Sequence, residues 1–237
     1  MLLSFALFLG AAWAGPGEPF AVVELFASEG CSSCPPADEL LRTLTQEARA
    51  QGKRIFTLSF EVDYWNNLGW VDPFSKPQFT KRQQQYASVL RASSMYTPQM
   101  IVNGTQAFVG SGEQEARGHI EQYLRTLATQ TLAIQVQNAE ELELSYQISD
   151  VKPDTVLNIA LVERGLESHP DRGENAGVIL KHDNVVRTFK TIPLTQKEGT
   201  IRLSKSASID LTHCSIIGYV QENKTMNILA ADSVDLN

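Results

Sequence analysis

The stretch Glu29-Gly30-Cys31-Ser32-Ser33-Cys34-Pro35-Pro36-Ala37-Asp38-Glu39-Leu40-Leu41 decides how this chain is read. Two cysteines stand two residues apart, and two prolines follow at once. From Pro36 to about Gln51 the apolar residues Ala37, Leu40, Leu41, Leu44 and Ala48 recur at three- and four-residue spacing, which is one face of an amphipathic helix. Gly52 ends it. Upstream, residues 21–27 form a short apolar run consistent with a buried strand. The cysteine pair therefore sits where a loop enters a helix. Pro35 and Pro36 suit that place, because first-turn N–H groups have no helical partner.

Further along, Arg54 to Asp63 reads as a second strand with Phe56, Leu58, Phe60 and Val62 on one face. A loop dense in aromatics, DYWNNLGWVDPFSKP, leads to a second helix over about 77–91. Residues 95–104 read as a loop, a short strand and a hairpin turn at Asn103-Gly104. A return strand and a third helix over about 113–129 follow. After Thr131 the chain favours strands alone: 131–137, 141–148, 155–164, 178–181, 185–192, 200–204, 213–222 and 227–231. Short strands at regular spacing predict a β-sandwich. The expected fold is an α/β domain over residues 15–130 and an all-β, sandwich-like domain over 131–237.

Of 237 residues, 43% are hydrophobic and 20% charged, a globular composition. The formal net charge of -7 argues against nucleic acid or an anionic membrane as the main partner. The opening MLLSFALFLGAAWA is uncharged, too short to span a bilayer, and ends in an Ala-Trp-Ala cleavage site before Gly15-Pro16-Gly17. Residues 1–14 read as a secretory signal peptide, with a buried N-terminal helix as the alternative. No other stretch suits a membrane span. The expected location is periplasmic or extracellular. Three cysteines are too few for a disulfide scaffold in a chain of this length.

The order strand, Cys-x-x-Cys, helix, strand, helix, Thr97-Pro98, strand, hairpin strand, helix resembles the thioredoxin fold over about residues 20–130. In thioredoxin-like proteins that proline is cis and packs beside the cysteines. More closely, VVELFASEGCSSCPPADELL, EVDYWNNLGWVDPFS, YTPQMIVNG and RGENAG…VVR resemble a family of secreted bacterial proteins of unassigned function with a thioredoxin-like fold. Ser32-Ser33 replaces the usual Gly-Pro, and the stretch between Cys34 and Pro98 exceeds that of a minimal thioredoxin.

A thiolate, not a thiol, attacks a disulfide, and a helix N-terminus favours the anion. Cys31 is thus the expected nucleophile and Cys34, one turn deeper, the resolving thiol. The alternatives are an inert Cys31–Cys34 disulfide and half of a zinc site, whose other half would be His213-Cys214. Alternation places Cys214 with Ile216 and Val220, so it reads instead as a buried, unpaired core thiol. Glu24 resembles the buried acid that relays protons to the second cysteine in thioredoxins; a solvent-facing glutamate is its plain alternative. Pro98 completes the expected catalytic set. Trp65, Trp70, Tyr96 and Thr97 are the candidate substrate platform, although a loop packed by its own aromatics is the plainer reading of the tryptophans. The polar loop 171–177 either reaches the cysteines or is a surface turn. His182, beside Asp183 and Asn184, reads as a hairpin marker. His119 and His169 show no catalytic neighbour. The expected function is a thiol-disulfide oxidoreductase acting on protein or peptide thiols and disulfides, with no metal and no cofactor. The alternative is a binding or chaperone-like scaffold.

Overall fold

The computed structural model describes residues 17–236. The signal peptide expected over 1–14 lies outside the described residues. The first half runs β1 (Ala21–Ala27), α1 (Pro35–Gln51), β2 (Ile55–Glu61), α2 (Pro77–Val89), β3 (Gln99–Val102), β4 (Gln106–Val109) and α3 (Glu113–Tyr123). The second half is almost all strand: β5 (Leu132–Asn138), β6 (Glu143–Ile148), β7 (Thr155–Glu163), β8 (Leu166–Ser168), β9 (Leu180–His182), β10 (Val185–Pro193), β11 (Glu198–Arg202), β12 (Cys214–Glu222) and β13 (Ile228–Asp235). Among the described residues no helix is long and apolar enough to cross a membrane.

Eight strands share one mixed sheet in the order β13-β12-β7-β10-β2-β1-β3-β4. Here the fold departs from the expected separate sandwich. β10 runs parallel to β2 at Val185 and Ser59, and the Ser59 N–H donates to the Asn184 carbonyl at 2.9 Å. Asn184 Nδ2 also donates to the Thr57 carbonyl and hydroxyl. The strands of the second half thus extend the sheet of the first. The remaining β5, β6 and β11 form a small sheet over it, and β8–β9 is a hairpin against α1. Strand spacing in the sequence carries no information about which sheet a strand joins, so the sandwich expectation had no means to see this.

The pleat sorts the core. Val22, Phe26, Phe56, Leu58 and Phe60 face α2, together with Ala160, Val162 and Tyr219. Val23, Leu25, Ala37, Leu40, Leu41 and Leu44 pack on the other face with both cysteines of the pair. Leu157, Ile159 and Leu161 meet the small sheet. The Asn103-Gly104 turn has φ of 46° and 75°, and a Cβ on Gly104 would lie 1.8 Å from the Met226 carbonyl oxygen, so only glycine fits there.

Candidate functional site

Cys31 and Cys34 are joined by a disulfide with Cα atoms 5.5 Å apart. Cys34 is the N-cap of α1, and its carbonyl accepts from the Ala37 and Asp38 N–H groups at 2.8 and 3.1 Å. The sulfurs therefore sit at the positive end of the helix. Cys31 Sγ lies 3.3 Å from the Ser33 hydroxyl. The Thr97–Pro98 peptide bond is cis. Pro98 and Ala37 both crowd Gly110, where a Cβ would lie 3.0 and 3.2 Å from theirs. Pro98 is thus close to the first turn of α1.

Trp65 packs beside the cysteine cluster, against Gly30, and its indole N–H donates to the Thr97 hydroxyl at 2.8 Å. Trp70 is held differently: its Nε1 donates to Glu29 Oε2 at 2.7 Å. The aromatic loop therefore lies beside the pair rather than merely packing on itself. Tyr96 is half-buried, and its carbonyl accepts from Gln83 Nε2 at 2.8 Å.

Two expectations are corrected by burial and by the pleat. Cys31 is 1% exposed and Cys34 fully buried, so the first cysteine is no more open to a partner than the second. The cover is the loop 171–177, which does reach the site. Glu174 Oε2 accepts from the Ser32 N–H at 3.0 Å, and Asn175 Nδ2 donates to the carbonyls of Glu29 and Cys31 at 2.8 and 3.0 Å. A Cβ on Gly173 would lie 3.0 Å from Trp70 Cβ, so this loop and the aromatic loop close on each other.

Glu24 is the second correction. It is buried, but it shares the sheet face of Val22 and Phe26, opposite the cysteines. Its carboxylate accepts two bonds from Arg82, at 2.9 and 2.6 Å, and a third from the Tyr219 hydroxyl at 2.6 Å. It cannot serve as a relay to Cys34 from there.

The buried acids on the cysteine face are others. Asp38, Glu61 and His182 each present a ligand-type atom, all within 4.8 Å of one another. Asp38 comes from the first turn of α1, Glu61 from the end of β2, and His182 from the end of β9. His182 Nε2 lies 3.4 Å from Glu29 Oε1, and Nδ1 lies 3.7 Å from Asp38 Oδ1. Neither approach has hydrogen-bond geometry. Phe74 meets the imidazole edge-on at 5.8 Å. Asp72 accepts from the Glu29 and Phe74 N–H groups at 2.9 and 2.8 Å.

Burial, then the like charges of Asp72 and Asp38, push the Glu61 carboxyl well above its ordinary range. Burial raises Asp72 to about 6 against the Glu29 N–H bond. Burial disfavours the imidazolium of His182, but Asp38 and Glu29 outweigh it and hold that group well above its usual value. Burial also opposes ionisation of Glu29, yet His182, Ser168 and Trp70 hold it below its usual value.

Sequence reasoning missed this cluster. One signal was available: with Phe56, Leu58, Phe60 and Val62 on one face, alternation puts Glu61 on the other, toward α1. His182 was legible only as a turn marker, because its partners are 121 to 153 positions away, at Glu61 and Glu29.

These elements define a mixed α/β protein with a buried disulfide at a helix N-terminus and a buried acid–histidine cluster beside it. The chain belongs to the family of proteins of unknown function DUF1223, whose model matches residues 22–221. Protein AGR_C_4864 from Agrobacterium tumefaciens is similar in structure, with a TM-score of 0.71 and 26% identity over 92% of this chain and 94% of that one. HBP35 of Porphyromonas gingivalis has a similar fold, with a TM-score of 0.66 at 14% identity, over 92% of this chain and 76% of that one. No curated protein matches the chain.

Proposed function

We propose that this is a thioredoxin-like thiol-disulfide oxidoreductase of the cell envelope or extracellular space, working on protein or peptide partners. The observation that carries the reading is the Cys31–Cys34 disulfide closed across the N-terminus of α1. In the reduced state, the Cys31 thiolate attacks a partner disulfide and expels one partner thiolate, which takes up a proton. Cys34, as thiolate, then attacks the Cys31 sulfur and releases the second partner thiol. The partner gains two electrons and the pair returns to the disulfide. The reverse sequence oxidises a partner dithiol by the same bonds. Exposed Leu68 and Val71 on the aromatic loop, and Val178 and Ile179 after the covering loop, offer apolar surface for a polypeptide partner. Trp65, Trp70, Tyr96 and Thr97 are the proposed substrate contacts, with Pro98 beside the pair. The leader peptide read from the sequence supports the location.

A second reading, a non-catalytic scaffold stapled by an inert disulfide, is favoured by the burial of both sulfurs. The pair's reduction potential and its rate of reaction with dithiothreitol separate the two. An oxidoreductase exchanges within minutes, and its Cys34→Ser variant traps partners as mixed disulfides through Cys31. An inert staple has a potential below about -300 mV and traps nothing.

A further inference from the structure

Five ionisable side chains meet beside the first turn of α1: Glu29, Asp38, Glu61, Asp72 and His182. Four of them carry buried polar atoms with no hydrogen-bond partner among the described residues: Glu29 Oε1, Asp38 Oδ1, Glu61 Oε2 and both nitrogens of His182. His182 is 2% exposed, Glu29 1% and Glu61 not at all. Native interiors leave few such atoms, and three such side chains with ligand-type atoms within 4.8 Å of one another ask for a ligand. Among the described residues no Lys or Arg pairs with any of the four carboxylates. Among the described residues, the imidazole of His182 is the only basic group paired with them.

We propose that Asp38, Glu61 and His182 form a binding site for a first-row divalent cation, zinc or manganese, with Glu29 orienting the imidazole. The donor set is two carboxylate oxygens and one ring nitrogen, which suits such ions. It lacks the six to eight oxygens calcium takes and the soft sulfur that copper(I) prefers. Ligand atoms within 4.8 Å of one another need only small side-chain rotations to reach a common ion at about 2.0–2.2 Å. A shared proton bridges one pair of atoms. A cation satisfies all three ligand atoms at once and offsets two of the carboxylate charges.

The orientation of His182 fits. Nδ1 is turned to Asp38 and Nε2 to Glu29. With the metal on Nδ1, Nε2 lies 3.4 Å from Glu29 Oε1, and a small ring rotation would bring its proton into hydrogen-bond geometry with that carboxylate, whose other oxygen is already fixed by the Trp70 indole at 2.7 Å. A carboxylate behind a ligating histidine sets its tautomer and ring angle. The three ligands come from α1, β2 and β9, so the ion would tie both halves of the chain together next to the disulfide. This site shares no residue with the cysteine pair and does not rest on its activity.

The test uses the mature protein with its disulfide intact, so that Cys31 and Cys34 cannot compete for metal. After chelator treatment, zinc, manganese, magnesium and calcium are each titrated by calorimetry, and crystals soaked in zinc are measured at the zinc edge. The expected result is one zinc or manganese per chain, little response to magnesium or calcium, and an anomalous peak between Asp38, Glu61 and His182. His182→Ala and Glu61→Gln should each weaken binding about 100-fold or more, and Glu29→Gln about 10- to 100-fold. Circular dichroism establishes that the variants are folded, and the anomalous peak tests the site in the unaltered protein. No binding by the stripped protein, a peak elsewhere, or unchanged affinity in folded His182→Ala overturns the proposal.

Discussion

The two faces of the large sheet each bury a group of charges, and only one group is complete. On the α2 face, Glu24 meets Arg82 through two hydrogen bonds and Tyr219 through a third. Arg82 also donates to Tyr86 and Gln221, and its guanidinium lies 5.0 to 5.6 Å from the rings of Phe60, Tyr86, Phe189 and Tyr219. On the α1 face, four carboxylates surround one imidazole and several of their atoms have no partner. A charge cluster built for stability closes its bonds internally. The other leaves several donor and acceptor atoms without partners beside the disulfide, which is the observation behind the proposed cation site.

The largest expected effect breaks the complete cluster. Arg82→Met strands Glu24 in an apolar interior, and unfolding by urea should show a loss of about 3–5 kcal/mol. Arg82→Met combined with Glu24→Gln should cost less than Arg82→Met alone, because no unpaired charge remains. A near-neutral single variant would mean that Glu24 is not the buried, fully engaged ion described above.

Next comes the cover. Asn175 gives two hydrogen bonds to the backbone that carries Glu29 and Cys31. Asn175→Ala should cost about 1–3 kcal/mol, because the Glu29 carbonyl is left without a donor and the Cys31 carbonyl keeps only the Cys34 N–H. If the loop limits access to the disulfide, dithiothreitol should reduce the variant about 5- to 30-fold faster, the factor that corresponds to one or two kcal/mol of easier opening. Glu174→Ala, which removes an exposed contact to Ser32, should do the same more weakly. Equal reduction rates in all three proteins would show that the loop does not gate the cysteines.

How much of this was legible in the sequence differs between the two faces. The helix after Cys34, the Asn103-Gly104 turn and most strands of the second half follow from period and turn chemistry, which are local. Glu24 was legible as a buried acid but not as to its face, because its partner Arg82 stands on a separate helix and its orientation depends on the pleat of the whole sheet. The joining of β10 to β2 rests on Asn184 hydrogen-bonding to Thr57, a contact across 127 positions. The polar loop 171–177 carried the right residues for reaching the site, yet nothing in its composition distinguishes a cover from a surface turn. The acid–histidine cluster draws on five separate segments, and period analysis treats each alone.

A smaller effect of opposite sign is expected in the incomplete cluster. In chelator-treated protein, Glu61→Gln removes a carboxylate that faces two others, while its amide oxygen can still accept from Ser59, as Glu61 Oε1 does at 2.7 Å. Thermal unfolding should show no loss, or a gain of up to about 1 kcal/mol. With zinc present the order should reverse, because the unaltered protein binds about 100-fold more tightly and so gains more stability at the same zinc concentration. A loss as large as that of Arg82→Met in metal-free protein would make the two clusters alike and remove the contrast between them.

The smallest effect at neutral pH belongs to Cys214, which serves as a control on the same side of the sheet. Its thiol is buried and unpaired, and it donates to the Asp210 carbonyl at 3.2 Å, so it leaves nothing open. Burial, with Glu163 nearby, raises it from 9.0 to about 11. The fold thus favours the protonated thiol, and the unfolded chain loses that proton first. The contribution is fully present below pH 9 and is lost as pH rises through 11. The stability difference between the unaltered protein and Cys214→Ala should therefore be constant from pH 6 to 8.5 and shrink between 9 and 11. Native Cys214 should also resist alkylation at pH 8 while the reduced Cys31–Cys34 pair reacts. Rapid labelling of Cys214, or a difference that ignores pH, would place this thiol in a more open and polar setting than the packing against Ile216 and Val220 allows.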